Sequence, residues 1–187
     1  MLSNTAAADT YDRIAKQLHA GYVKSGDPVA AVYFNWQRYN MAPYISETHG
    51  RRYVNNYANT AASAYAGFEE AGVMPQGSVL AKDSFRVVPT NPCATENPCV
   101  ANPCATNPCS AGTGSDLQSG PLFIMEKMVT GFNLATGDWR YTMIMPDGSI
   151  FGTTDGPGSA KMQFCADCHG AVGDKQDHLY FLPEEYR

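Results

Sequence analysis

No run of apolar residues in this 187-residue chain approaches the ~20 that a bilayer-spanning helix needs, so no membrane span is expected. Basic residues are scarce. Thirteen Lys and Arg stand against eighteen Asp and Glu, and a net charge of −5 offers no electrostatic footing for nucleic acid or an anionic membrane. The start, Met1 to Asp9, has neither a basic n-region nor an apolar h-region, so no signal peptide is visible. No cysteine precedes Cys93, and only one pair has C-x-x-C spacing. A four-ligand zinc site would want a second such pair, and a thioredoxin-like dithiol would want a βαβ context. The length suits one domain, or one domain with additions, able to bury a cofactor beside a core.

That one pair is Cys165-Ala166-Asp167-Cys168-His169. C-x-x-C-H is the attachment signature of a c-type haem. Two thiols one helical turn apart can add to the two vinyl groups on one porphyrin edge. The adjoining histidine can then bind the iron, because positions i, i+3 and i+4 share a helix face. One covalent haem c is expected, held by Cys165, Cys168 and His169, with a redox dithiol or half of a zinc site as the alternatives. Bacterial haem c attachment takes place outside the cytoplasm. A periplasmic or otherwise exported protein is therefore expected, numbered from after a removed leader or from an engineered start.

The other four cysteines, Cys93, Cys99, Cys104 and Cys109, each close an Asn-Pro-Cys triplet, repeated at steps of six, five and five residues. Asn-Pro favours turn initiation, and proline denies the segment a continuous hydrogen-bond ladder. The expectation is a low-complexity insertion at 90–114 stapled by two disulfides, as exported proteins allow. Three connectivities are open, as are a soft-metal site and intermolecular bridges.

Around these motifs the chain reads as helix, then sheet, then helix. Residues 9–24 carry Tyr11, Ile14, Ala15, Leu18 and Tyr22 at helical spacing, stopped by Gly26-Asp27-Pro28. A second helix is expected within 29–42, and an alanine-rich helix capped by Thr60 and ended by Gly72. Strands are expected at 52–57, 78–88, 121–129 and 139–145, the last returning through a Pro146-Asp147-Gly148-Ser149 turn to 150–152. A short helix from Ser159 carries the haem motif. The fold class expected is α+β, a mainly antiparallel β-sheet with flanking helices and a C-terminal haem-binding helix. The division expected is an N-terminal helical extension, 1–44, and a haem domain, 45–187.

A haem motif at the C-terminal end of an antiparallel sheet is unusual, since most familiar c-type cytochromes are helical and carry it near the N-terminus. Pro75-Gln76-Gly77-Ser78-Val79-Leu80-Ala81-Lys82, Gly137-Asp138-Trp139-Arg140-Tyr141 and Phe164-Cys165-Ala166-Asp167-Cys168-His169, followed by an aromatic tail, resemble the cytochrome P-460 family. That group is related to the beta-sheet cytochromes c-prime. The resemblance runs from about residue 45 to the end, outside the cysteine repeat. It implies a five-coordinate haem c on a sheet platform, His169 proximal, the distal face open. It implies that Lys82 bonds covalently to a porphyrin meso carbon, where the residue alone would pass for a strand lysine reaching solvent. It also suggests Glu126 as a distal carboxylate able to accept protons from hydroxylamine, and Arg51 or Arg52 as a distal cation. Glu126 reads equally as half of a surface pair with Lys127 on an exposed strand.

His19, His49 and His178 are further axial-ligand candidates, although a lone histidine is more often a polar surface residue. Met125, Met128, Met143 and Met145 could supply a sixth ligand, although strand methionines are more often core filler. The leading expectation is an oxidoreductase that oxidises hydroxylamine, with or without nitric oxide, and passes electrons to a soluble cytochrome. The alternatives are a non-enzymatic electron-transfer or nitric-oxide-binding cytochrome, and a structural subunit of a cytochrome assembly. A homodimer is compatible with each.

Overall fold

The computed structural model describes residues 4–90 and 114–187, so the cysteine repeat, with its expected disulfides, lies outside the described residues. The fold is α+β, built on an eight-stranded sheet in which every pair of strands is antiparallel. Strands β1 (Gln37–Arg38), β2 (Tyr44–Ser46), β3 (Arg52–Ala58), β4 (Val79–Thr90), β5 (Gly114–Ser119), β6 (Leu122–Lys127), β7 (Trp139–Ile144) and β8 (Ile150–Thr153) follow the chain. The spatial order is β1-β3-β4-β6-β7-β8, with β2 beside β3 and β5 beside β4. The long β4 is the spine: its first half pairs with β6 and its second half with β5.

Because side chains alternate along a strand, the sheet presents two different faces. One is covered by helix α1 (Asn4–Tyr22) and the short α2 (Pro28–Val32). Tyr11, Ile14, Leu18 and Tyr22 form the apolar stripe of α1 and pack on Phe85, Leu122, Ile124 and Ile144. The other face carries Trp139, Tyr141 and Met143, and meets the 3₁₀ segment Thr60–Glu70, Met162, helix α3 (Gln163–Gly170) and the C-terminal tail. Among the described residues no helix is long and apolar enough to cross a membrane.

Several sequence expectations change. The helix foreseen within 29–42 lasts only five residues, although Asp27 caps it through Val29 N and Ala30 N and Pro28 opens it. The α-helix breaks at Val32, and the chain continues as a 3₁₀ turn, Tyr33–Asn35, before Trp36 becomes extended. The alanine-rich helix is a kinked 3₁₀ segment whose cap is Asn59, not Thr60. Asn59 also accepts from Val79 N and donates to Gly77 O, each at 3.0 Å, tying this segment to the start of β4. The boundary expected at 44/45 falls inside β2, and α1 shares one core with the sheet.

Candidate functional site

Helix α3 is brought against the sheet by tight backbone packing. A Cβ on Gly152 of β8 would lie 2.6 Å from the Gly158 carbonyl oxygen and 3.0 Å from Met162, so glycine lets the turn into α3 close onto the strand. Met162 is then buried in the core below α3. With the helix so placed, Cys165 and His169 line a narrow apolar cavity between α3 and the sheet. Cys168 joins them around an adjoining hollow lined also by Thr48, His49 and Phe123.

The His169 ring is buried and fixed. Its Nδ1 lies 2.8 Å from the carbonyl oxygen of His178 and donates to it, leaving Nε2 without a hydrogen-bond partner among the described residues. Tyr141 and Tyr180 stand at either side, with ring centroids 5.3 and 5.4 Å away. Burial, opposed by the His178 contact and reinforced by Lys82, lowers its pKa to about 4. A neutral imidazole with Nδ1 anchored is the form in which histidine ligates a metal, and the anchor fixes the tautomer.

The anchoring carbonyl is itself clamped. Asp177 and His178 both have positive φ, 48° and 59°. The Asp177 carboxylate accepts from Met74 N at 2.8 Å and forms a buried ion pair with Lys127. The Asp177 carbonyl oxygen accepts from Trp139 Nε1 at 2.8 Å. These contacts hold two residues in a backbone conformation that non-glycine residues adopt at a cost of ~1–3 kcal/mol each.

On the sheet side, Lys82 and Phe123 are register partners across β4 and β6, and both line the cavity. The Lys82 amine makes no hydrogen bond or ion pair among the described residues, and burial, slightly offset by Cys168, lowers its pKa to about 8. Asn56, opposite Lys82 on β3, lines the same cavity. Its amide nitrogen donates to the Tyr44 and Tyr65 hydroxyls, and its Oδ1 is buried without a partner among the described residues. His49 enters from the β2–β3 turn. Its Nδ1 is 2.7 Å from Ser46 Oγ, and its ring meets Phe123 edge-on at 4.7 Å.

Not every expected residue gathers here. Glu126 lies on the opposite face with Ile124, and its Oε2 accepts from Arg140 Nε and Nη2 at 2.9 and 2.6 Å. Arg51 is exposed and paired with Glu47. Arg52 lies on β3 beside Arg86 and does not line the cavity. The distal carboxylate and arginine expected from the sequence are therefore not supplied by these residues. His19 packs on Phe34 at the helix-covered face, and His178 Nε2 contacts Asp174 at 3.0 Å, so neither ring reaches the cavity. Met125 lines it; Met128, Met143 and Met145 do not.

No family model matches the chain, and no curated protein shows significant similarity to it.

The chemistry of the donor set separates the readings of the C-x-x-C-H motif. A reactive dithiol needs a depressed thiol pKa, whereas burial and then Cys168 push Cys165 up to about 12. The sheet holds no parallel βαβ unit among the described strands. No three His, Cys, Asp or Glu side chains converge among the described residues, so no zinc ligand set is assembled. A covalent haem asks for two thiols on one helix face, one anchored neutral imidazole and an apolar slot. The half-buried Cys165 and Cys168, the His169 ring and the slot between α3 and the sheet supply these, and Asn56 Oδ1 in the slot has no partner among the described residues. The residues fit a haem c.

Proposed function

We propose that this chain is a mono-haem c-type cytochrome of the P-460 kind, oxidising a small nitrogen compound of the hydroxylamine class and passing the electrons to a soluble cytochrome after export. One observation carries the reading. Cys165, His169 and Lys82 line a single apolar cavity, and the Lys82 amine within it has no protein partner among the described residues. A solvent-seeking strand lysine would extend away from such a slot.

In this reading the Cys165 and Cys168 sulfurs would hold the porphyrin edge and His169 Nε2 would ligate the iron. A bound haem would supply a redox centre for electrons from the substrate. Lys82 would be the second tether, its amine the group that would bond to the porphyrin. Phe123 and Met125 exclude bulk water from the sheet side.

A second reading, an electron carrier or nitric-oxide-binding cytochrome, is favoured by the position of Glu126, Arg51 and Arg52 outside the cavity. The optical spectrum and intact mass of the purified protein test both. The expected mass exceeds the polypeptide by one haem that survives acid–organic extraction, and the expected spectrum departs from that of an ordinary five-coordinate haem c through the Lys82 tether. Haem that extracts freely overturns the proposal. Covalent haem with an unmodified Lys82 leaves the second reading.

A further inference from the structure

With Glu126 on the far face, the cavity lacks the carboxylate expected to take protons from a substrate. His49 stands where such a group would be useful. It lines the main cavity and the adjoining hollow, in both of which His169 also takes part. Its Nδ1 is held by Ser46 Oγ at 2.7 Å with Thr48 Oγ1 at 3.3 Å, and its Nε2 has no partner among the described residues. Ser46 is buried and Thr48 is exposed, so the pair leads from the ring to the surface. Two imidazoles thus meet the same space from opposite elements, each anchored through Nδ1 and bare at Nε2.

We infer that His49 is the distal proton-transfer residue of this cavity, carrying protons from a small nitrogen substrate to solvent through Ser46 and Thr48. The inference rests on the haem reading above. A proton leaves the substrate for His49 Nε2; the Nδ1 proton then passes to a neighbouring hydroxyl, which releases its own to water at Thr48. One proton enters the ring and one leaves, so the imidazole returns to its starting charge with its tautomer reversed. Ser46 suits both tautomers because a hydroxyl donates and accepts. Burial first, then Lys82 from β4 and His169 from α3, oppose a lasting positive charge on His49, so any proton it takes up is not retained. The location at the rim, with Thr48 and Gly50 beside it in the hollow, fits relay to solvent better than ligation at the centre of the slot.

The test compares haem-loaded wild type with His49→Leu and Thr48→Val. Covalent haem content and the ferric spectrum should be the same in all three proteins. The C–O stretch of the ferrous carbon monoxide complex should shift in His49→Leu, because a polar imidazole is removed from the distal side. Hydroxylamine oxidation should fall ~10²–10⁴-fold in His49→Leu, the usual contribution of a general base, with partial rescue by added imidazole. Thr48→Val should give a smaller fall with an altered solvent isotope effect. A low-spin six-coordinate ferric spectrum in wild type that is lost in His49→Leu would make His49 a ligand and overturn the inference. An unchanged C–O stretch with unchanged turnover also overturns it. Wild type without covalent haem removes the haem reading itself, a failure distinct from either.

Discussion

Two adjacent residues of β4 show how differently the sheet treats its faces. Asp83 points under the helices and is fully buried, yet its carboxylate is met on every side: Tyr11 donates at 2.6 Å, Asn55 at 3.0 Å and Tyr33 at 3.4 Å. Lys82 points the other way, into the cavity, and is met by nothing among the described residues. Burying a polar group without a partner costs free energy. The helix-covered face satisfies Asp83 from within the protein, while His19 Nε2 on the same side has no partner among the described residues. The cavity face leaves Lys82 Nζ, Asn56 Oδ1 and two imidazole nitrogens without partners among the described residues, the groups that the proposed haem and its substrate would meet.

The strongest way to break the comparison is to disable the cavity face at its proximal point. His169→Ala should abolish normal holoprotein assembly, read as loss of the haem mass and Soret band, while the α1–sheet core stays folded by circular dichroism. Equal loss of both would mean that the two faces are not separable.

Next in size is the clamp behind His169. Asp177→Ala leaves Lys127 buried and unpaired and frees the strained 177–178 backbone. Breaking a buried pair from one side typically costs ~3–5 kcal/mol. Denaturant melts should show a loss of that order, accompanied by a changed iron–histidine stretch in the ferrous haem protein. A stability loss with an unmoved stretch would reduce the clamp to ordinary packing.

Asp83 gives the closed face a pH signature. Burial raises its pKa from 3.8 to about 6, the tyrosine and Asn55 contacts only partly opposing this. A carboxyl with a raised folded-state pKa contributes stability that is fully present below the unfolded value and is lost as pH rises through the folded one. The loss, on the order of 3 kcal/mol from a shift of this size, should therefore fall between about pH 4 and pH 6. Asp83→Asn should flatten that part of the stability–pH curve and leave the haem spectrum alone. An unaltered curve would mean that Asp83 is ionised at a normal pKa.

Much of this asymmetry was legible in the chain, and what was hidden has physical causes. The α1 stripe, the β7–β8 turn and the C-x-x-C-H face follow from local spacing, and each is in place. Lys82 could be located on β4 because strand alternation and the Gly77–Val79 approach are local too. The facing of Glu126 could not be read, since a one-residue slip exchanges sheet faces and the cysteine repeat obscures the register of β6 against β4. His49 was one lone histidine among several until β2 and β3 closed a turn that put it beside Phe123. Its nearness in sequence to Arg51 and Arg52 was the one available hint. The 177–178 clamp left no signal, because aspartate enters the left-handed region in many turns and nothing in the sequence shows that Trp139, Lys127 and Met74 converge there.

The smallest expected effect is also the one that tests the face assignment most directly. Glu126 and Arg140 face each other across β6 and β7 at the edge of the helix-covered side, partly exposed, with side-chain exposures of 18% and 32%. A pair this accessible is screened by solvent and contributes roughly 0–1 kcal/mol. Glu126→Gln should therefore lower stability by less than about 1 kcal/mol and leave hydroxylamine turnover, haem spectrum and carbon monoxide stretch unchanged. The same substitution in a distal base would slow turnover ~10²-fold or more at unchanged stability. The two outcomes do not overlap, since one moves only the melt and the other only the rate. A turnover loss at Glu126, with none at His49, would put the carboxylate back in the cavity and reverse the face assignment of β6.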